Sequence, residues 1–232
     1  MTIWALNPQA RLEVRRTGRE GHPLLVVDNL LAAPEALVEL AAQAPFAPPQ
    51  GTRYPGLNAP LPEAYLHAVT RPLRPVLQKE FGIPADNDLS LWGFFALATQ
   101  GPHSLAPIQT IPHQDSSDPM QLALVHYLCA ETMGGTGFFR HRATGFEGVD
   151  AGRRPDYARI AAAELAQSGG SGGHVRADTP RYEMTDSVDP AFNRLIVYRS
   201  HVLHAGLLDG IALSPDPRAG RLTANSFLSP KR

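Results

Sequence analysis

A chain of 232 residues, 43 % apolar and 19 % charged, is long enough to bury a full core without covalent staples, and its 20 glycines and 22 prolines fall short of a low-complexity composition. A net charge of −1 excludes the broad basic field that holds nucleic acid or an acidic membrane, so the expected partner is a small molecule or a protein side chain. Cys129 is the single cysteine and cannot form an internal disulfide, no CxxC seats structural zinc, and neither a leader nor an 18-residue apolar run is visible. A cytoplasmic protein is the expectation.

In chain order, the apolar run 24–30 predicts a strand, and 34–43, with Pro34 suited to a first turn and Leu37, Leu40 and Ala41 on one face, predicts a helix. Residues 45–62, rich in proline and small side chains, read as a loop. A helical pattern returns over 63–81, interrupted by Pro72 and Pro75 and stopped by Gly82, which predicts two short helices or one kinked one. Strands are then expected at 89–99, 108–115, 120–129, 136–142, 193–199 and 221–228, mostly from their β-branched and aromatic content.

No strand–helix alternation joins these strands, so a parallel α/β sheet is not expected. The pattern fits a mainly β fold, an antiparallel sandwich or jelly roll with helices packed outside it. The expected organisation is one domain over 1–232: an N-terminal strand and helical support over 1–88, and a β core over 89–228 interrupted by an insertion at 143–190. That insertion carries one predicted helix, 155–167, and the run SGGSGG at 168–173. The run satisfies G-x-S-x-G, but a glycine tract following a helix does not strain a serine as a nucleophile elbow does.

Among the nine histidines, His113 in IPHQD has a carboxylate two residues away, Asp115. In an extended segment residues two apart face the same side, so both can reach one ion. Taken alone, Asp115 reads equally well as a turn residue before Ser116 and Ser117. The strand NRLIVYRS runs out into His201 and His204, either of which can supply a third ligand. Two histidines and a carboxylate on one face of an octahedron leave three positions open, as in non-haem Fe(II) oxygenases. H-E-x-x-H is absent, so the helix-borne zinc peptidase pattern is not met. In GRLTANSFL, Arg221 and Thr223 share a strand face, and a guanidinium can fork onto a carboxylate.

The order H-x-D, a strand ending in Tyr-Leu, a Gly-Gly-Thr turn into an aromatic strand, a distal His and then Arg-x-Thr resembles the Fe(II)/2-oxoglutarate-dependent dioxygenases, and most of all their prolyl 4-hydroxylase-like branch. The resemblance covers roughly 89–228, and the VVDNLL-then-helix entry looks like the N-terminal support of that branch. It implies a double-stranded β-helix, a cupin-like jelly-roll barrel. It also implies Fe(II) ligands His113, Asp115 and His204, with Arg221, Thr223 and Tyr127 toward the cosubstrate 2-oxoglutarate, and O2 as oxidant in the hydroxylation of a small molecule or an amino-acid side chain. The family's ligand context selects His204 over His201.

Three features depart from the family: Arg221 follows His204 at an unusual distance, which leaves Arg218 as a competitor, GGTGFF lacks an acidic residue after the glycine pair, and 143–190 replaces a short loop. Arg218 lies among Pro215, Pro217 and Gly220, a turn not expected to hold it rigidly. His126, Arg140 and His141 are further candidates for the cavity wall, and 143–190 for a lid hinged on its glycines. The competing reading is a binding module on the same jelly roll, non-catalytic or with a different metal. The clamp at Arg221 and Thr223 favours the oxygenase.

Overall fold

Alternation along the strands sorts the apolar side chains into three separate cores, and those cores define the layers of the structure. The computed structural model describes residues 4–50, 54–85, 88–168 and 172–231. In chain order these form β1 (Arg11–Thr17), β2 (His22–Asp28), α1 (Glu35–Ala42), β3 (Gly56–Pro60), α2 (Glu63–Phe81), β4 (Leu89–Ala98), β5 (Leu122–Tyr127), β6 (Thr136–His141), α3 (Arg154–Ser168), β7 (Tyr182–Val188), β8 (Arg194–Arg199), β9 (His204–Gly206) and β10 (Arg221–Pro230).

Seven strands make a large antiparallel sheet in the order β1-β2-β8-β5-β10-β4-β3, and three make a small one, β7-β6-β9. From β4 onward the chain passes back and forth between the two sheets. Residues 111–113 reach the edge of the small sheet beside β9 through one bridge, His113 to His204. The four central strands β8-β5-β10-β4 thus face β7-β6-β9 and that bridge. This is the expected double-stranded β-helix, a mainly β jelly roll with flanking helices.

One face of the large sheet, with Leu25, Val27, Leu124, Val197 and Phe95, buries against α1 and α2 through Leu37, Tyr65, Val69, Leu73 and Phe81. The other face, with Tyr127, Ile196, Tyr198 and Phe227, meets Phe138 of the small sheet. Beyond the small sheet, Phe139 and Leu203 pack against Val149, Val175 and Tyr182 of the insertion. No helix among the described residues is long and apolar enough to cross a membrane.

Of the two readings expected for 63–81, the structure has one helix, with Pro72 and Pro75 inside it, ended by Gly82 in the left-handed conformation (φ 63°). Other expected elements are corrected. The segment 108–115 is not a strand: Pro107 and Pro112 lack donors for a ladder, and Thr110 Oγ1 donates to Pro107 O at 2.7 Å in a 3-10 turn. The loop expected at 45–62 contains β3, an edge strand that tolerates Pro60 at its end. The insertion contains β7 besides its helix.

The described part of the insertion is tied down. His141 contacts Glu164 on α3 at 2.9 Å, and the Tyr157 and Tyr182 hydroxyls are 3.0 Å apart. At its start, the Glu147 carboxylate accepts the N–H groups of Arg19 and Glu20, while the Glu20 carboxylate accepts Gly148 N–H and Arg153 Nη1. A Cβ at Gly18 would sit 2.0 Å from Glu147 Oε2, so only glycine admits this clasp. Gly169, Gly170 and Ser171 of the expected hinge lie outside the described residues.

His126 turns toward the helices rather than the cavity. Its Nε2 donates to Asn193 Oδ1 at 3.1 Å, so Nδ1 is the acceptor for the Tyr65 hydroxyl at 2.9 Å. Asn193, itself at φ 67°, also accepts Leu31 N–H and donates to Leu31 O, which pins the N-terminal segment to the jelly roll. Burial lowers the His126 pKa to about 4, against the opposing hydrogen bond to Asn193. Above pH 6.5 folded and unfolded chains both carry this imidazole neutral, and its contribution is complete. As pH falls from 6.5 toward 4 the unfolded chain takes up the proton first, so the fold loses up to about 3 kcal/mol through this group. Urea unfolding between pH 7 and 4.5 checks this: the midpoint should fall with pH, and His126→Gln should flatten the dependence.

Candidate metal centre

The centre is built by backbone pairing. His113 N–H donates to His204 O at 2.9 Å and His204 N–H returns to His113 O at 2.8 Å, which fixes both residues side by side. Two residues on, Asp115 N–H donates to Ser200 O at 2.9 Å, so the loop carrying the carboxylate is fastened to the turn that leads to His204. Chain segments far apart in sequence thereby deliver three potential ligands to one corner between the sheets.

All three potential ligand atoms lie within 4.8 Å of one another. Asp115 Oδ1 is 3.6 Å from His113 Nε2, and Oδ2 is 3.4 Å from His204 Nε2. His204 Nδ1 donates to Val202 O at 2.9 Å, so the ring carries its proton there and turns the Nε2 lone pair toward Asp115. Burial lowers the His204 pKa to about 4, with His113 adding to the shift and Asp115 opposing it. Burial works against ionisation of Asp115, but the two imidazoles hold its carboxyl below the usual range. A carboxylate oxygen and an imidazole lone pair therefore face each other with no proton between them, an arrangement that a cation stabilises.

His201 lies elsewhere. It is buried edge-on to His22, ring centroids 5.4 Å apart, and Gly148 leaves room for both rings. A second group with ligand-like spacing, Glu20, His22 and Glu147, is the clasp at the start of the insertion, and its carboxylates are already engaged by backbone N–H groups and Arg153.

Behind the corner, Arg221 is 5 % exposed and reaches from β10 to the turn before β6, donating through Nε to Gly134 O at 3.0 Å and through Nη2 to Gly135 O at 3.2 Å. A Cβ on either glycine would stand 2.1 Å from a backbone oxygen, which explains the glycine pair of the Gly-Gly-Thr motif. The guanidinium has no carboxylate partner among the described residues. Next to it, the Thr223 hydroxyl is fully buried and makes no hydrogen bond among the described residues. Tyr127 lies beneath the guanidinium, 5.8 Å from ring centre to Cζ, with its hydroxyl 2.6 Å from Thr136 Oγ1; burial raises its pKa to about 12.

Arg218, the competitor, is held on the surface by a two-pronged contact with Glu39, at 3.0 and 2.7 Å, so its turn does hold it, but away from the interior. Arg140 pairs with Glu183, and His141 packs under α3. Cys129 is buried, and burial pushes its thiol pKa up, with Arg221 opposing.

Two neighbours of the centre escape sequence reading. Tyr198 packs edge-on against His204, centroids 4.8 Å apart, and Tyr54 hydrogen-bonds Arg221 from a segment expected to be a loop. Alternation in NRLIVYRS marks two faces without saying which is inner; Leu195 and Val197 face the helices, while Ile196 and Tyr198 face the site.

The fold and this corner define a jelly roll with a His-Asp-His cluster able to hold a metal ion and a buried cation behind it. The chain belongs to the family of unknown function DUF6445, which it matches over residues 8–228. No curated protein matches it. Among solved structures it is similar to HygX from Streptomyces hygroscopicus with nickel, 2-oxoglutarate and hygromycin B bound, at 13 % identity over 93 % of this chain and 83 % of that one, TM-score 0.48. It is also similar to SnoN, a non-heme alpha-ketoglutarate-dependent epimerase from nogalamycin biosynthesis, at 14 % identity over 93 % and 78 % of the two chains, TM-score 0.45. A third is an N-substituted L-amino acid dioxygenase from Burkholderia ambifaria AMMD, at 12 % identity over 90 % and 82 %, TM-score 0.40.

Removing one ligand from a three-ligand site leaves water to replace a fixed donor. Equilibrium dialysis against Ni2+ should therefore show His113→Ala, Asp115→Ala and His204→Ala each weakening binding on the order of a hundredfold or more. His201→Ala should bind as the parent does. Metal retained by His204→Ala and lost by His201→Ala would reverse the assignment of the third ligand.

Proposed function

We propose that the protein is an Fe(II)- and 2-oxoglutarate-dependent oxygenase that hydroxylates a small molecule or an amino-acid side chain. The observation that carries this reading is the Arg221 cation, buried without a carboxylate partner among the described residues and close behind the candidate metal corner. An uncompensated buried charge is costly, and a ligand carboxylate relieves that cost.

The spacing supports a dicarboxylate. Gly206 follows His204 by two residues on β9, about 7 Å along a strand, and a Cβ there would lie 3.7 Å from Arg221 Nη2. A five-carbon diacid, four C–C bonds of about 1.5 Å, bridges such a gap with one end on the metal and the other on the guanidinium. The unpartnered Thr223 hydroxyl supplies a further donor to the distal carboxylate.

In this reading His113, Asp115 and His204 hold Fe(II) on one face and leave three positions for the cosubstrate keto acid and O2. When these are bound, 2-oxoglutarate is converted to succinate and CO2 as one atom of O2 enters a substrate C–H bond. The Val202 carbonyl keeps the His204 ring oriented, and the Gly134 and Gly135 carbonyls keep the Arg221 side chain oriented. The apolar layer of Phe138, Ile196, Tyr198 and Phe227 excludes water between the sheets. A metal-binding jelly roll with no acidic ligand has no use for a buried guanidinium, which weighs against the binding-module alternative.

Anaerobic titration of the Fe(II)-loaded protein with 2-oxoglutarate, followed by its visible charge-transfer band and by succinate release on admitting air, tests the reading. Arg221→Ala should raise the 2-oxoglutarate requirement about tenfold to a hundredfold, the ~1.5–3 kcal/mol of a charge-assisted hydrogen bond. Arg221→Lys should recover part of this and Arg218→Ala should behave as the parent. Absence of both the band and succinate would exclude the oxygenase.

A further inference from the structure

The face of the large sheet that carries Arg221 and Thr223 continues toward the metal corner in rows set by the strand register. Beyond Thr223 on β10, Asn225 pairs with Phe94 of β4 and Val125 of β5, and Phe227 pairs with Trp92 and Ala123. Ala123 pairs in turn with Tyr198 of β8. Residues paired across an antiparallel sheet point to the same face, so Trp92, Phe227, Ala123 and Tyr198 make one row across four strands. Tyr198 ends that row against His204, with ring centroids 4.8 Å apart. The row therefore leads from the metal corner to Trp92, three inter-strand spacings or about 14 Å along the sheet.

Trp92 is 48 % exposed. The other exposed large apolar side chains among the described residues, Leu12, Val14, Leu40 and Phe192, lie on β1, on α1 and in the turn before β8, outside these rows. Phe227 stacks on the indole with 4.1 Å between centroids and 21° between planes, and Phe94 tilts against both rings, 6.1 and 6.2 Å away. Phe94 and Val125 are themselves only half-buried, whereas Tyr127 and Thr223 deeper on the same face are fully buried. The space between the sheets is thus open to solvent above the aromatic patch and closed toward Arg221. From β4 to β8 the two rows carry no Asp, Glu, Lys, Arg or His. An indole held in place by a second ring, with no charge beside it, offers its π surface to a flat uncharged ring and nothing to an ionic group.

We propose that Trp92 anchors the substrate: an aromatic ring of the substrate stacks on Trp92, and the C–H bond to be oxidised lies at the metal corner at the other end of the row. The inference rests on the oxygenase reading and narrows it to substrates that carry an aryl group, joined to the reacting carbon by a linker no longer than the row. Trp92 is then a specificity determinant, with Phe227 and Phe94 fixing its orientation.

The test needs no knowledge of the natural substrate. Protein loaded with Mn2+ and saturated with 2-oxoglutarate is mixed in turn with 3-methylindole, p-cresol, cyclohexylmethanol and methyl glucoside. Saturation transfer from protein to probe reports binding, and the paramagnetic relaxation of the probe's protons, measured against the metal-free protein, reports nearness to the metal. We expect both aromatic probes to show saturation transfer severalfold above the other two and to be relaxed by Mn2+. Trp92→Ala should bring them down to the cyclohexylmethanol level while Mn2+ is still held, which shows the fold intact, and Trp92→Phe should restore part of the difference. Phe192→Ala, which removes an exposed ring at the opposite end of β8 from Tyr198, should change nothing. Aromatic probes bound no better than cyclohexylmethanol, a preference for the glucoside, a preference that survives Trp92→Ala, or bound aromatic probes that Mn2+ does not relax would each overturn the proposal. Bulk-water relaxation in the same samples reports whether Mn2+ is held. If it is held and one of these results appears, this proposal alone fails; if the parent protein does not hold it, the oxygenase reading fails and this proposal with it.

Discussion

The reciprocal pair of backbone hydrogen bonds between His113 and His204 is the constraint on which the candidate site depends. It is the whole of the pairing between the segment before β5 and the edge of the small sheet, a single bridge where a regular strand would make several. Pro112, directly before His113, has no N–H to extend the ladder backward, and after His113 the chain turns so that Asp115 points back at His204. A regular strand would have carried the carboxylate onward along the sheet edge.

Around that corner the charges are arranged by exclusion. Burial keeps His204 neutral and its backbone acceptor fixes the tautomer, while the carboxylate beside it stays ionised. Arg221 stands behind, hydrogen-bonded to the Gly134 and Gly135 carbonyls and to Tyr54, with the Tyr127 ring beneath it. The interior therefore separates a Lewis-basic pole from a cationic one, with aromatic rings between the sheets to keep water out. Among the described residues the helices contribute no side chain to either pole. Their work is on the far face, where α2 supports β5 and β10 through Tyr65, Val69 and Leu73.

Much of this was legible in the sequence where one residue type has one physical job. Gly82 ends its helix in a left-handed turn, the Gly-Gly pair admits a backbone contact that no side chain would allow, and the alternation in 221–228 sets Arg221 and Thr223 on one face. Local signals failed where pairing is decided by the partner. Strand β3 is short, contains asparagine and proline, and exists because β4 offers it an edge. Strand β7 is mostly polar and half-exposed, and is a strand only because β6 is beside it. The choice between His201 and His204 was likewise not local: three residues apart, they face opposite structures, one the clasp at Glu20 and Glu147, the other the metal corner. Tyr198 could not be found because alternation marks two faces and leaves the inner one unnamed.

The strand order has a consequence for how the chain is made. The middle of the large sheet reads β2-β8-β5-β10-β4, so the strands that join its early members come from the last quarter of the sequence. During synthesis β2, β4 and β5 emerge with their apolar faces and open edges long before β8 and β10 exist to cover them. The helices can shield one face in that interval, but the edges stay unpaired until Arg194–Arg199 and Arg221–Pro230 have left the ribosome. Closure is then a late, long-range event. The charged β1 paired outside β2, and the proline-ended β3 outside β4, stand at the two outer edges of the nascent sheet, where they discourage other chains from pairing first.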